Sequence, residues 1–152
     1  MRHMGVLGGE ASIEIEADIE ELWAIVEDVE TAPDWQDGLE EMHVLERDAE
    51  GRAVLCESVN DAKVKTVKSI VRFSYDKPNV VAWEQEKGDL KSVTGSWELE
   101  DLEDGFVRVT YRMEGDPGRV LGMAIRGPVE GRLREILVEG RPQELAVRAG
   151  AA

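Results

Sequence analysis

From Leu39 to Glu114, apolar and polar residues alternate with a period of two, interrupted at short intervals by turn-forming clusters. A period of two puts successive side chains on opposite faces of a strand. Met42, Val44 and Leu45 mark one strand, which ends at Asp48-Ala49-Glu50-Gly51. Arg52–Val59 follows, with a turn at Asn60-Asp61. In Val64–Tyr75, the residues Val67, Ser69, Val71, Phe73 and Tyr75 share one face, with Lys65, Lys68 and Arg72 interleaved. After the turn Asp76-Lys77-Pro78-Asn79 come Val80–Glu86, Val93–Glu100 and Phe106–Glu114. In the last two, Val93, Trp97 and Leu99, then Val107, Val109, Tyr111 and Met113, share faces. Short connections between such strands predict an antiparallel meander with one wet face and one apolar face that needs a cover.

The segments on either side carry different periods. Ala11–Glu16 alternates and reads as a strand with Ile13 and Ile15 inward. Asp18 then reads as an N-cap with Glu21 three residues on, a capping-box pattern. Ile19, Leu22, Trp23, Ile25, Val26 and Val29 give the helix it opens an apolar side. Pro33 ends that helix, and Pro33–Gln36 reads as a single turn or short second helix anchored by Trp35. Beyond Asp116-Pro117-Gly118, Val120, Leu121, Ala124, Ile125, Val129, Leu133, Ile136 and Leu137 fall at helical spacing. A long amphipathic helix over Asp116–Ala149 is therefore the predicted cover of the sheet. Gly127-Pro128 predicts a kink or a split in it, and Gly140-Arg141-Pro142 the end of its regular part.

Composition narrows the function classes. The chain has 152 residues, 18 Lys and Arg against 33 Asp and Glu, and a net charge of −15. One domain with a single core fits that length. A surface so acidic repels phosphate backbones, which disfavours nucleic acid as a partner. No apolar run reaches the length of a bilayer span, so stable membrane insertion is not expected. One cysteine, Cys56, excludes an intrachain disulfide. The expected layout is a flexible tail over residues 1–9, one domain over 10–147 and a frayed end over 148–152, in a cytoplasmic protein.

Four passages resemble the START-like (SRPBCC) superfamily, in its polyketide cyclase/dehydrase and coenzyme Q-binding branch. They are Ile13–Val26, Thr31-Ala32-Pro33-Asp34-Trp35, Leu90–Glu100 followed by Asp104-Gly105, and Val107–Tyr111 leading into the final helix. The resemblance covers about residues 10–147. It implies an α+β helix-grip fold: a curved six- to seven-stranded antiparallel sheet around a long C-terminal helix, with one or two short helices after the first strand. It also implies a cavity between sheet and helix for a small hydrophobic molecule, a lipid, an isoprenoid or an aromatic polyketide. A fold that hosts many activities does not name the reaction.

The residues offer little chemistry of their own. His43 is the one histidine outside the first few residues and alternates with inward Met42 and Val44, so it faces solvent. With Cys56 it cannot form a His/Cys zinc site, and no metal or other cofactor is expected. No serine sits in a nucleophile elbow, and no residue is assigned a catalytic role. The cavity candidates are Trp35, Phe73, Tyr75, Trp83, Trp97, Tyr111, Met113, Met123 and Leu133. Tyr75, Tyr111, Ser69, Gln85 and Arg112 are candidates to orient a ligand, since a buried phenol or amide requires a partner. The expected activity is binding or transport of the hydrophobic molecule, with a polyketide aromatase/cyclase-dehydratase as the alternative and room for a weak homodimer.

Overall fold

The computed structural model describes residues 7–151. Seven strands form one antiparallel sheet in the order β1-β7-β6-β5-β4-β3-β2. They are β1 (Leu7–Glu16), β2 (Leu39–Arg47), β3 (Ala53–Asp61), β4 (Thr66–Asp76), β5 (Val80–Gly88), β6 (Ser92–Asp101) and β7 (Phe106–Asp116). Between β1 and β2 lie α1 (Ile19–Glu27) and a 3₁₀ segment, Val29–Asp34. After β7 come α2 (Gly118–Ala124), α3 (Pro128–Arg134), a π-helical turn (Glu135–Glu139) and α4 (Arg141–Arg148). This is the helix-grip α+β architecture. No helix among the described residues is long and apolar enough to cross a membrane.

Alternation explains the sheet. Val67, Val71, Phe73, Trp97, Leu99, Val107, Val109 and Tyr111 are all buried. Opposite them on β1, β7 and β6, Arg108 bridges Glu14 and Glu100, and Arg112 bridges Glu10 and Glu98. Cross-strand pairs of opposite charge suit a wet face and leave the other to the core. The register shifts within β2–β3 and β4–β5 interrupt regular pairing, and such interruptions bend strands and let a sheet curl.

Local expectations are corrected in four places. First, the strand expected at Ala11 begins at Leu7, which is buried and pairs with Gly115. Residues 7–9 of the expected tail are thus part of β1, and residues 1–6 lie outside the described residues. Second, Asp18 stands at the N-cap of α1, where its carbonyl accepts from the Glu21 and Leu22 N–H groups at 3.1 and 3.3 Å. Its side chain makes no capping bond, so the capping box does not form. Third, β3 runs through Asp61, beyond the expected turn at Asn60-Asp61.

The fourth concerns the closing segment, which is not one long helix. Gly127 (φ 73°, ψ −134°) separates α2 from α3, as Gly127-Pro128 predicted. Helix resumes after Gly140, however, because a proline is tolerated in the first turn. The end expected to fray is capped: Ala151 N–H donates to the Ala146 carbonyl and Gly150 N–H to that of Val147. With Gly150 at φ 75°, this is a Schellman motif.

Candidate functional site

Sheet and closing helices do not meet everywhere. Between them lies a cavity of about 150 Å³. β4–β7 supply its floor through Val71, Phe73, Trp83, Trp97 and Tyr111, while Leu121, Ile125, Leu133 and Leu137 roof it. Aromatic rings run along the floor in an unbroken row. Trp35 packs on Trp97 (centroids 5.8 Å apart), Trp97 on Tyr111 (4.7 Å), Tyr111 on Trp83 (5.6 Å) and Trp83 on Phe73 (6.0 Å).

The row depends on a glycine. Gly95 pairs with Trp83 across β5 and β6. A Cβ at Gly95 would lie 2.4 Å from the Trp83 ring, so the indole lies flat over the place of the missing side chain. The result is a smooth aromatic wall where an ordinary residue would push the ring away.

Polar groups in the lining are few, and those of Ser69 and Arg141 are bonded to the protein. Ser69 Oγ donates to Gln85 Oε1 (2.7 Å), and Gln85 Nε2 donates to the Leu90 carbonyl (2.9 Å). Arg141 is only 2% exposed. Its Nη1 donates to the Asp37 carbonyl (2.7 Å) and to Glu144 Oε1 (2.8 Å), and its guanidinium carbon sits 6.0 Å from the Tyr111 ring centroid. Glu144 Oε2 in turn accepts from Asp37 N–H at 2.8 Å, tying α4 to the loop after Trp35. Burial pushes the Tyr111 phenol above its ordinary pKa, and the neighbouring Arg141 cation partly offsets this. The phenol is therefore a proton donor at neutral pH and not a base. Among the described residues, two buried side-chain N–H groups have no hydrogen-bond partner, Trp35 Nε1 and Arg141 Nε.

Seven of the nine residues expected in the cavity line it: Trp35, Phe73, Trp83, Trp97, Tyr111, Met113 and Leu133. Two do not. Tyr75 shares the inner face of β4, but there the space is filled by α1. Its ring meets Trp23 edge-on at 6.5 Å, its hydroxyl donates to the Ala53 carbonyl, and Arg52 stacks on it. Met123 is 63% exposed on the outer side of α2. Of the residues expected to orient a ligand, Gln85 lies behind Ser69, outside the lining. Arg112 is on the outer face of the sheet, bound to Glu98 and Glu10. His43 is exposed and bonded to Glu41, as its place in the alternation required.

Gly95 and Arg141 were not picked out by sequence reasoning. Arg141 lies within the Gly-Arg-Pro expected to end the helix. Its signal was a place in the first turn of α4, where the helix dipole disfavours a cation unless another partner holds it. Gly95 was detectable as the one gap in the inward series Val93, Trp97, Leu99.

A family model described as polyketide cyclase/dehydrase and lipid transport matches residues 15–140. No curated protein matches the chain in sequence. Among solved structures, a protein from Thermus thermophilus superposes with a TM-score of 0.79 at 20% identity, covering 95% of this chain and 97% of the other. A START superfamily protein from Mycobacterium smegmatis gives 0.71 at 16% identity, covering 95% and 94%. The Zhui aromatase/cyclase from Streptomyces sp. R1128 gives 0.65 at 17%, covering 95% and 87%. Identities this low carry the fold and nothing finer.

Proposed function

The chain belongs to the polyketide cyclase/dehydrase and lipid transport family, and from that premise we propose that it binds and carries a small hydrophobic molecule in the cavity between sheet and closing helices. One observation carries this reading: the cavity is lined mainly by aromatic and aliphatic side chains, with few polar groups among them. Water gains little in such a space, whereas an apolar molecule buries its surface at about 25 cal/mol per Å². Acid–base catalysis favours a group whose pKa approaches neutrality. Burial moves both the Tyr111 phenol and the Cys56 thiol away from it, the thiol to about 11.

The second reading, an aromatase/cyclase-dehydratase, is favoured by one feature. The protonated Tyr111 phenol lies beside the Arg141 cation at the cavity, a donor pair suited to polarising a carbonyl. Native mass spectrometry of gently purified protein separates binding from an empty fold. We expect an apolar adduct that is lost on organic extraction and regained on adding a lipid or aromatic extract. A protein that carries no adduct and takes none up refutes the binding reading. Conversion of a bound poly-β-ketone to a dehydrated ring, abolished by Tyr111→Phe, would establish the second.

A further inference from the structure

Val120 and Met123 are the two most exposed large apolar side chains among the described residues, at 84% and 63%. With Arg119 they share one face of α2, at helical spacing, while Leu121 and Ile125 on the opposite face roof the cavity. Exposed apolar residues are ordinary when they stand singly. The charge beside these two sets them apart. Nine of the eleven arginines in residues 7–151 lie within 4.0 Å of a carboxylate, and Arg119 and Arg126 are the remaining two. The segment from Pro117 to Val129 contains no acidic residue, in a chain with 33 of them.

The topology gathers more cations at that end. The β3–β4 and β5–β6 connections and the exit from β7 into α2 all lie at one end of the antiparallel sheet. Lys91 N–H donates to the Asp116 carbonyl (2.8 Å) and Asp89 N–H to that of Lys68 (2.9 Å), which ties the β5–β6 connection to β7 and to β4. Lys63, Lys65, Lys68, Lys87 and Lys91 are exposed there, and Val64 in the β3–β4 turn is 43% exposed. Ala62, Leu90 and Pro117 of the same connections line the cavity. The opposite end of the sheet is acidic: Asp18, Glu20 and Glu21 follow β1, and Asp101, Glu103 and Asp104 stand where β6 turns into β7. β4 and β7 have 11 residues each, which at about 3.3 Å per residue separates the two ends by roughly 35 Å. That is about four screening lengths in physiological salt, so the net charge of −15 does not govern what approaches α2.

Free cations beside exposed apolar side chains suit one kind of surface. A nucleic acid would use the arginines and leave Val120 and Met123 in water. An anionic bilayer takes both, since apolar side chains enter its headgroup region and cations are drawn to its negative surface. We propose that α2 and the adjoining end of the sheet dock reversibly on anionic lipid bilayers, with Val120 and Met123 entering the interface and Arg119 and Arg126 meeting headgroups. Docked in this way, α2 has lipid on one face and the cavity on the other. The docking goes beyond the binding reading above and does not depend on it.

Sedimentation of the intact chain with lipid vesicles tests it, the vesicles being phosphatidylcholine alone or phosphatidylcholine and phosphatidylserine in equal parts. The chain should sediment with the mixed vesicles and not with phosphatidylcholine alone. It should leave the mixed vesicles as salt shortens the screening length to about 3 Å at 1 M. Arg119→Gln and Arg126→Gln should each lower the affinity about fivefold. Lys77→Gln removes the same charge from the β4–β5 connection at the opposite end and should change nothing. Val120→Ser combined with Met123→Ser should cost about tenfold with no change in charge. All these side chains are exposed, so the fold tolerates their replacement. Hydrogen exchange on the unsubstituted chain needs no variant: mixed vesicles should protect residues 118–126 and leave the β6–β7 turn unchanged. No sedimentation with mixed vesicles, equal binding to both kinds, an equal loss in Lys77→Gln, or protection confined to other segments overturns the proposal. None of these outcomes touches the cavity reading, which the adduct measurement decides.

Discussion

Trp83 lies where the side chain of residue 95 would be, and that exchange shapes the cavity floor. In Gly95→Ala the methyl group has to displace a ring packed between Phe73 and Tyr111. Overpacking of this kind costs about 1–3 kcal/mol. Urea unfolding should show that loss, together with weaker uptake of hydrophobic probes because the displaced indole enters the cavity. A second residue-scale expectation concerns Cys56, which is fully buried and whose thiol burial raises from 9.0 to about 11. A rise of about two units reduces the thiolate near pH 8 about 100-fold, so the native thiol should resist a disulfide reagent until urea exposes it. Below pH 9 the thiol is protonated folded or unfolded, and between 9 and about 11 only the unfolded thiol ionises, so its contribution to stability falls with rising pH. Alternation alone made Phe73, Trp83, Trp97, Tyr111 and Met113 legible as inward residues. It could not show that α1 fills the space over Tyr75, because facing inward and lining a cavity differ by what lies opposite. Nor could it assign Arg141, whose partners Asp37 and Glu144 are brought together only by the fold.

At the scale of elements, the roof is defined by its breaks. Prolines and glycines marked both interruptions in the sequence, at Gly127-Pro128 and Gly140-Arg141-Pro142, since these residues act on the backbone locally. Whether helix resumes beyond a break depends on packing. Leu145 and Ala146 are buried against the core, which is why helix resumes as α4 where the pattern suggested an end. Gly127 adopts a backbone conformation that residues with a Cβ avoid, yet nothing lies within 4 Å of where a Cβ would be. Gly127→Ala therefore isolates backbone strain from crowding. It should cost about 1–3 kcal/mol. Hydrogen exchange should rise in α2 and α3 and stay unchanged in β6 and β7, because Arg134 Nε still holds α3 to the Gly8 carbonyl at 2.9 Å. Uniform acceleration across the sheet would mean that the roof is not a separate unit of stability.

At the scale of the whole molecule, a fold with a cavity of about 150 Å³ forgoes protein–protein contacts that a filled core would make. If the cavity exists to hold a ligand, occupancy should return that stability. At a ligand concentration about 100 times Kd the gain is about 2.7 kcal/mol. For a chain of this length each kcal/mol raises Tm by about 2–4 °C, so saturation should raise it by roughly 5–10 °C. Val71 provides the control. It is buried on the cavity floor at the centre of β4, two residues before Phe73. Val71→Phe places a ring in the empty space with no change in charge. Scanning calorimetry should find the ligand-free variant within a few degrees of the natural chain, since the added apolar contact offsets some repacking strain. The ligand-induced rise should disappear, because the occupied volume is no longer open to a guest. A variant that still gains about 5 °C or more with ligand would place binding elsewhere on the molecule. A variant that unfolds tens of degrees lower would show a floor too tightly packed to accept another ring. The two outcomes distinguish a cavity kept open for a guest from one left by imperfect packing, and sequence periodicity cannot make that distinction because it sees faces and not volumes.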